Sequence, residues 1–245
     1  MRKGLTGAFV AAGALIFSAC SDTTTGPAGA SDQLINFDVA MVAADGTLDH
    51  LAAIGDCGNG KLPLEGAERS CTVTYFDAAG NEQAAYDEVT TASIRLVTEM
   101  NGEFEREGWS ATVSRSRQMT ISGLEGAETS RTVNGSGSQA ITRSNHSDED
   151  GTRTYEMFGT SSIDNVVHGV PLEGNPYPLS GSITRDMTVM IIGGEDNGET
   201  RSRLAVITFN GTQFATVTVN GETYEMDLAA GRGMGPMRGG GRRGR

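Results

Sequence analysis

The sequence predicts an all-β protein. We expect an antiparallel meander of about nine to ten strands forming a curved sheet, a sandwich or a half-barrel, with at most a short N-terminal helix. Three observations predict this class. Apolar and polar residues alternate over many segments, which is the period of a strand with one buried face. The closing segments are joined by Asn210-Gly211 and Asn220-Gly221, and Asn-Gly suits the positive φ of a tight hairpin turn. Strands joined by such turns build a meander, whereas βαβ units need long crossovers.

Taken in order, Ile35, Phe37, Val39 and Met41 alternate with smaller or polar residues and predict a first strand. Thr47 to Ile54 reads as a short helix with Leu48, Leu51 and Ala52 on one side. A loop follows from Asp56 to Glu65. Cys71, Val73 and Tyr75 then share a face, and Asp77 to Asn81 forms a turn. Ile94, Leu96, Thr98 and Met100 make the next strand, which Asn101-Gly102 is expected to close. The longest alternation runs from Trp109 to Ile121, with Ser and Thr on one face and Arg115 and Arg117 among the apolar residues of the other. Thirteen residues at ~3.4 Å each reach about 44 Å, so a bend or bulge is expected there. Shorter strands are predicted around 130–133, 139–143 and 152–158, with Gly135-Ser136-Gly137-Ser138 as a flexible turn between two of them. Leu172 to Leu179 carries two prolines and reads as a loop. Ile183, Met187, Val189 and Ile191 alternate again, and three strands over 203–209, 213–219 and 223–228 finish the domain.

Four regions follow from composition. Met1-Arg2-Lys3 precedes an uncharged run from Gly4 to Phe17. As a helix that run reaches about 21 Å, too short for a bilayer core of about 30 Å, and its flanks are those of a secretory signal. Residues 1–19 are therefore expected to be a signal peptide. Residues 20–31 form a flexible tether rich in Thr, Gly and Ala. Residues 32–229 make the β-rich domain. Residues 230–245 make a Gly- and Arg-rich tail, expected to be disordered.

Ile16-Phe17-Ser18-Ala19-Cys20 resembles the lipobox of bacterial lipoproteins. The resemblance implies that Cys20 carries a diacylglyceryl group and becomes the new N-terminus. Two or more acyl chains give stable anchoring. Ser21, not Asp, follows the cysteine, and by resemblance to the sorting rule of such proteins the outer membrane is favoured over the inner. The membrane, reached through that lipid, is the expected partner, and protein partners are not indicated.

The tail holds five arginines and no anion, and the signal two cations. The body between them carries 12 cations against 31 anions, a net of −19. Such a body repels DNA and anionic lipid. The tail is a candidate for contact with envelope polyanions; cytoplasmic nucleic acid is not expected. Hydrophobic residues make up only 37% of the chain, so the core is sparse. Cys57 and Cys71 are the other two cysteines, and export makes a disulfide between them the preferred reading over two free thiols or a metal pair.

Arg115, Arg117, Arg143 and Arg185 lie on the apolar side of their strands. They are read first as cross-strand partners of Asp and Glu, and otherwise as a candidate anion-binding face. No catalytic residue, metal site or cofactor is indicated. His50, His146 and His168 sit in no nucleophile motif, and no phosphate loop, dinucleotide fingerprint or HExxH occurs. The acidic runs 145–151 and 195–199 lack the ligand pattern of an EF-hand and read as hairpin tips.

Phe209-Asn210-Gly211-Thr212, the stretch from Ala215 to Tyr224 and the stretch from Tyr177 to Arg185 resemble the end of a family of uncharacterised bacterial envelope lipoproteins. That resemblance implies a secreted β domain on a lipid anchor and supplies no activity. The expected function is a non-enzymatic binding or structural module. A carrier holding an apolar ligand on its curved sheet and a secreted hydrolase are the alternatives.

Overall fold

The structure is a computed structural model and describes residues 31–58, 66–126, 128–147, 151–170, 174–194, 196–230 and 237–238. The expected signal peptide, the expected tether up to residue 30, with Cys20, and most of the expected tail lie outside these residues.

Alternation becomes strand wherever one face can be buried. After one helix, α1 (Asp32–Gly58), the chain forms β1 (Ala67–Asp77), β2 (Glu82–Gln83), β3 (Thr91–Arg106), β4 (Trp109–Ser122), β5 (Ser130–Ser147), β6 (Gly151–Gly169), β7 (Ser180–Ile192), β8 (Thr200–Thr208), β9 (Phe214–Val219), β10 (Glu222–Asp227) and β11 (Met237–Arg238). They make one open antiparallel sheet in the order β11-β10-β9-β8-β7-β6-β5-β4-β3-β1-β2. This is the expected meander, and it does not close into a barrel. β2 and β11 are two-residue edge pieces. The second lies within the tail expected to be disordered and pairs with Glu225 and Met226 of β10.

Turn chemistry places several of the hairpins. Asn220 (φ 45°) and Gly221 (φ 91°) form the two-residue turn between β9 and β10, as their sequence predicts. Asn101-Gly102, by contrast, closes nothing: it lies inside β3, paired with Ser114 and Val113 of β4. Gly102 is there for close approach, since a Cβ on it would stand 2.8 Å from the Ala67 Cβ of β1. Gly135 to Ser138 is likewise not a turn. It lies in the middle of β5, merging two short predicted strands into one of eighteen residues. A Cβ on Gly137 would sit 2.6 Å from the Ser116 carbonyl oxygen, so the glycine lets β4 and β5 approach closely. β4 itself keeps an unbroken register with both neighbours. The irregularities fall instead between Phe76 and Asp77 of β1, between Val133 and Gly135 of β5 and between Asp164 and Val167 of β6.

The largest departure is at the N-terminus. Neither the predicted first strand nor the separate short helix exists; both belong to the 27-residue helix α1. At 1.5 Å per residue it is about 40 Å long. It lies in the concavity of the sheet and touches β1 and β3 on one side and β8, β9 and β10 on the other. Residues on almost every side of it are buried, including Ile35, Val39, Ala40, Val42, Ala43, Ala44 and Leu48. They pack on a sheet face built by Leu96, Met119, Ile163, Ile183, Ile207 and Val217, which form one cross-strand row, and by the rows beside it. Phe37 meets Tyr224 of β10 edge-on, ring centres 5.9 Å apart. The sparse core is thus supplemented by the chain's own helix.

Candidate functional site

The inner face of the sheet carries arginines among its apolar residues, and the helix that covers it carries aspartates. Arg115 and Arg117 on β4, Arg143 on β5 and Arg185 on β7 all point inward and are buried. The structure therefore brings the four sequence-predicted arginines to one face. Three further inward arginines join them: Arg69 on β1, Arg153 on β6 and Arg203 on β8. Each of these also alternates with Ser, Thr or apolar residues, the same pattern that exposes Arg115 in the sequence. The rule of an arginine on the apolar side of a strand would have found them.

The carboxylates they pair with are on the helix, not across the strands. Asp32 at the start of α1 meets Arg201 at 3.0 Å and also pairs with Arg203. Asp38 accepts from Nε of Arg153 at 3.0 Å, and Asp45 accepts from Nη1 of Arg143 at 2.9 Å. Asp49 serves three guanidiniums: Arg69, Arg117 at 2.9 Å and Arg115 at 3.6 Å. The helix thus crosses the sheet diagonally from β8 to β1. It ends in the disulfide Cys57–Cys71, Cα atoms 5.9 Å apart, which ties its last turn to β1.

The centre of the lattice is less well matched. Gly46 brings the helix backbone close enough for Nη2 of Arg117 to donate to its carbonyl oxygen at 3.1 Å. A Cβ at Gly46 would meet Nη2 of Arg185 at 3.0 Å and Nη2 of Arg115 at 3.3 Å. Arg185 makes no ion pair among the described residues; its Nη1 donates to Oε1 of Gln139 at 3.3 Å, and its Nε has no partner. Burial holds its guanidinium well below the usual arginine range. Burial, with the neighbouring Arg117, pushes Arg115 down to about 10, and its Nε also lacks a partner. Asp45 is raised because burial outweighs the attraction of Arg143.

Beside this lattice, a cleft opens between α1 and the β3–β4 hairpin. Its cavity volume is about 80 Å³. Met100, Phe104, Trp109, Ala111 and Val113 line it together with Arg106, Arg115 and Arg143, and Asp45 and Asp49 face it from the helix. The Arg143 guanidinium stacks 4.3 Å above the Trp109 ring, which orients both.

His50 and His168 lie near one another, and His146 lies apart from both. His50 is buried in α1, both ring nitrogens without partners among the described residues. Burial, with Arg117 and Arg185 nearby, lowers its pKa well below the usual value, and His168 adds to this field from the end of β6. His146 lies exposed at the opposite end of the β5–β6 pair, its Nδ1 3.1 Å from the Thr152 hydroxyl. Among the described residues no three His, Cys, Asp or Glu side chains gather into a metal-binding group. Residues 148–150 and Glu195, in the acidic hairpin tips, lie outside the described residues.

No protein-family model, characterised protein or solved structure was found that matches this chain.

Proposed function

We propose that this is a lipid-anchored protein of the bacterial cell envelope, held through Cys20 and favouring the outer membrane, that acts as a non-enzymatic binding or structural module. The observation that carries the reading is the Cys57–Cys71 disulfide. Such bonds persist in oxidising compartments, and this one leaves Cys20 as the sole other cysteine of the sequence, next to a signal-like apolar run. The resemblance of residues 177–185, 209–212 and 215–224 to envelope lipoproteins supports the same address. The module reading draws on the concave face, where the helix fills the space a large ligand would need and commits its carboxylates to arginines. Metabolic labelling with a fatty acid tests the anchor. Label is expected on the wild-type chain and absent from Cys20→Ala; equal label on both would overturn it.

A further inference from the structure

The face of the sheet opposite the helix is built differently from the rest of this acidic body. From Ser110 to Ser122 the outward side chains of β4 are Ser, Thr and Gln, and from Asn134 to Ser144 those of β5 are Asn, Ser, Ala and Thr. A surface kept only for solubility carries charge, yet in a body of net −19 these two stretches present none outward. Two cross-strand rows form there. Ser116, Ser138, Thr160 and Asp186 stand side by side on β4 to β7. Gln118, Ser136, Ser162 and Thr184 make the row next to them. Most of these side chains are short, so the rows floor a groove of about 540 Å³ that crosses the strands from Val97 of β3 to Asp186 of β7. Five strands spaced by ~4.8 Å give it a length of about 20 Å.

The polar atoms of this groove are unused by the fold. Among the described residues, the hydroxyls of Ser116, Ser136, Ser138 and Thr160, the Gln118 amide and the Asp186 carboxylate make no side-chain hydrogen bond or ion pair. Elsewhere on the same face hydroxyls bond one another, as Ser144 and Thr154 do at 2.8 Å. Asp186 is the one charged side chain turned into the groove; Arg117 lends it backbone, its guanidinium being on the opposite face at Asp49. Two exposed apolar side chains stand beside the first row. Phe158, 50% exposed, lies on the same side of β6 as Thr160, about 7 Å along the strand. Leu204, 48% exposed, faces Asp186 from β8. An anion would be repelled by Asp186 and by the acidic body. A hydroxyl both donates and accepts, so a floor of hydroxyls matches a ligand made of hydroxyls. Short side chains also lose little rotamer freedom on binding. A sugar ring has that rim of hydroxyls and, on its C–H face, an apolar surface suited to an exposed phenyl ring.

We propose that the groove across β4 to β7 binds a neutral oligosaccharide in an extended conformation, its hydroxyls bonded to the two Ser/Thr rows and to Asp186 and one ring packed against Phe158. The proposal rests on the binding-module reading and names its ligand class. It does not involve the lipid, so its failure would leave the anchor at Cys20 untouched, and failure of the anchor would leave the groove as it is.

The full chain is titrated calorimetrically with cellohexaose and with hexa-N-acetylchitohexaose, two neutral extended chains, and with polygalacturonate as the anionic counterpart. At least one neutral chain is expected to bind saturably, with a Kd of about 1 mM or below, and polygalacturonate to be silent. Phe158→Ala is expected to weaken that binding at least tenfold. Ser138→Arg lays a long side chain over the groove floor and is expected to abolish it. Asp186→Asn keeps the hydrogen-bonding capacity and loses the charge, and binding is expected to change less than threefold. All three positions are exposed, and circular dichroism reports that each variant is folded. Saturable binding of neither neutral chain, binding of polygalacturonate as tight as theirs, unaltered binding in folded Phe158→Ala or Ser138→Arg, or its loss in folded Asp186→Asn would each overturn the proposal.

Discussion

His50 shows what a single buried side chain does to this protein. Its ring is enclosed between α1 and the sheet with neither nitrogen partnered among the described residues, so the folded state holds it neutral. The unfolded chain protonates an ordinary histidine near 6.5. Below that pH the unfolded state binds the proton and the folded state does not, so stability falls as pH falls. His168, also lowered by burial, acts in the same direction. We expect the melting temperature to drop between pH 7.5 and 5.5. In His50→Leu the drop should be shallower, with stability at pH 7.5 equal or higher, because an unpartnered polar ring is replaced by an apolar side chain of similar size. A drop as steep in His50→Leu as in the wild type would rule out His50 as the titrating group.

At the scale of elements, the decisive contact is helix on sheet. Packing alone would let α1 slide along an apolar trough; its aspartates pin it at separate strands. Asp49 is the most consequential, since it is buried and shared by Arg69, Arg115 and Arg117. Removing one partner from a buried ion cluster leaves uncompensated charge and costs about 3–5 kcal/mol. Asp49→Ala should lower stability by that amount in a denaturant titration. Asp32, whose side chain is 73% exposed at the first turn, also bridges two arginines but in water, and Asp32→Ala should change little. Equal effects of the two substitutions would show that the ion lattice does not position the helix.

For the whole molecule the governing feature is charge. A body of net −19 runs into a tail of five arginines, and two residues of that tail pair with the sheet edge at β10. A two-residue pairing is a small part of an eleven-strand sheet. Deleting residues 231–245 should therefore lower the melting temperature by no more than about 4 °C, roughly 1 kcal/mol in a chain of this size. Retention on a lipopolysaccharide surface should fall on the same deletion, and more so at low salt, because interactions between charges in water are screened over about 8 Å at physiological ionic strength. A larger loss of melting temperature would mean that the tail packs; equal retention at low salt would mean that it carries no polyanion contact.

The sequence by itself determined the antiparallel class, most of the strands and four of the inward arginines. A period of two with one buried face is written locally, as in Val113, Arg115, Arg117, Met119 and Ile121, and Asn220-Gly221 sets a turn whatever surrounds it. It also paired Cys57 with Cys71, given an oxidising compartment. What only the tertiary structure decided is the helix and what the arginines meet. An amphipathic helix betrays itself by a one-sided apolar stripe, but α1 is enclosed by the sheet and buried on nearly every side. Ile35, Phe37, Val39 and Met41 were therefore free to look like a strand. Glycines had the same ambiguity, since Gly102 and Gly137 serve backbone approach between strands and not turns. The pairing of Asp38, Asp45 and Asp49 with arginines 20 to 115 residues away in sequence depends on how far the sheet curls around the helix, and no local pattern encodes that distance.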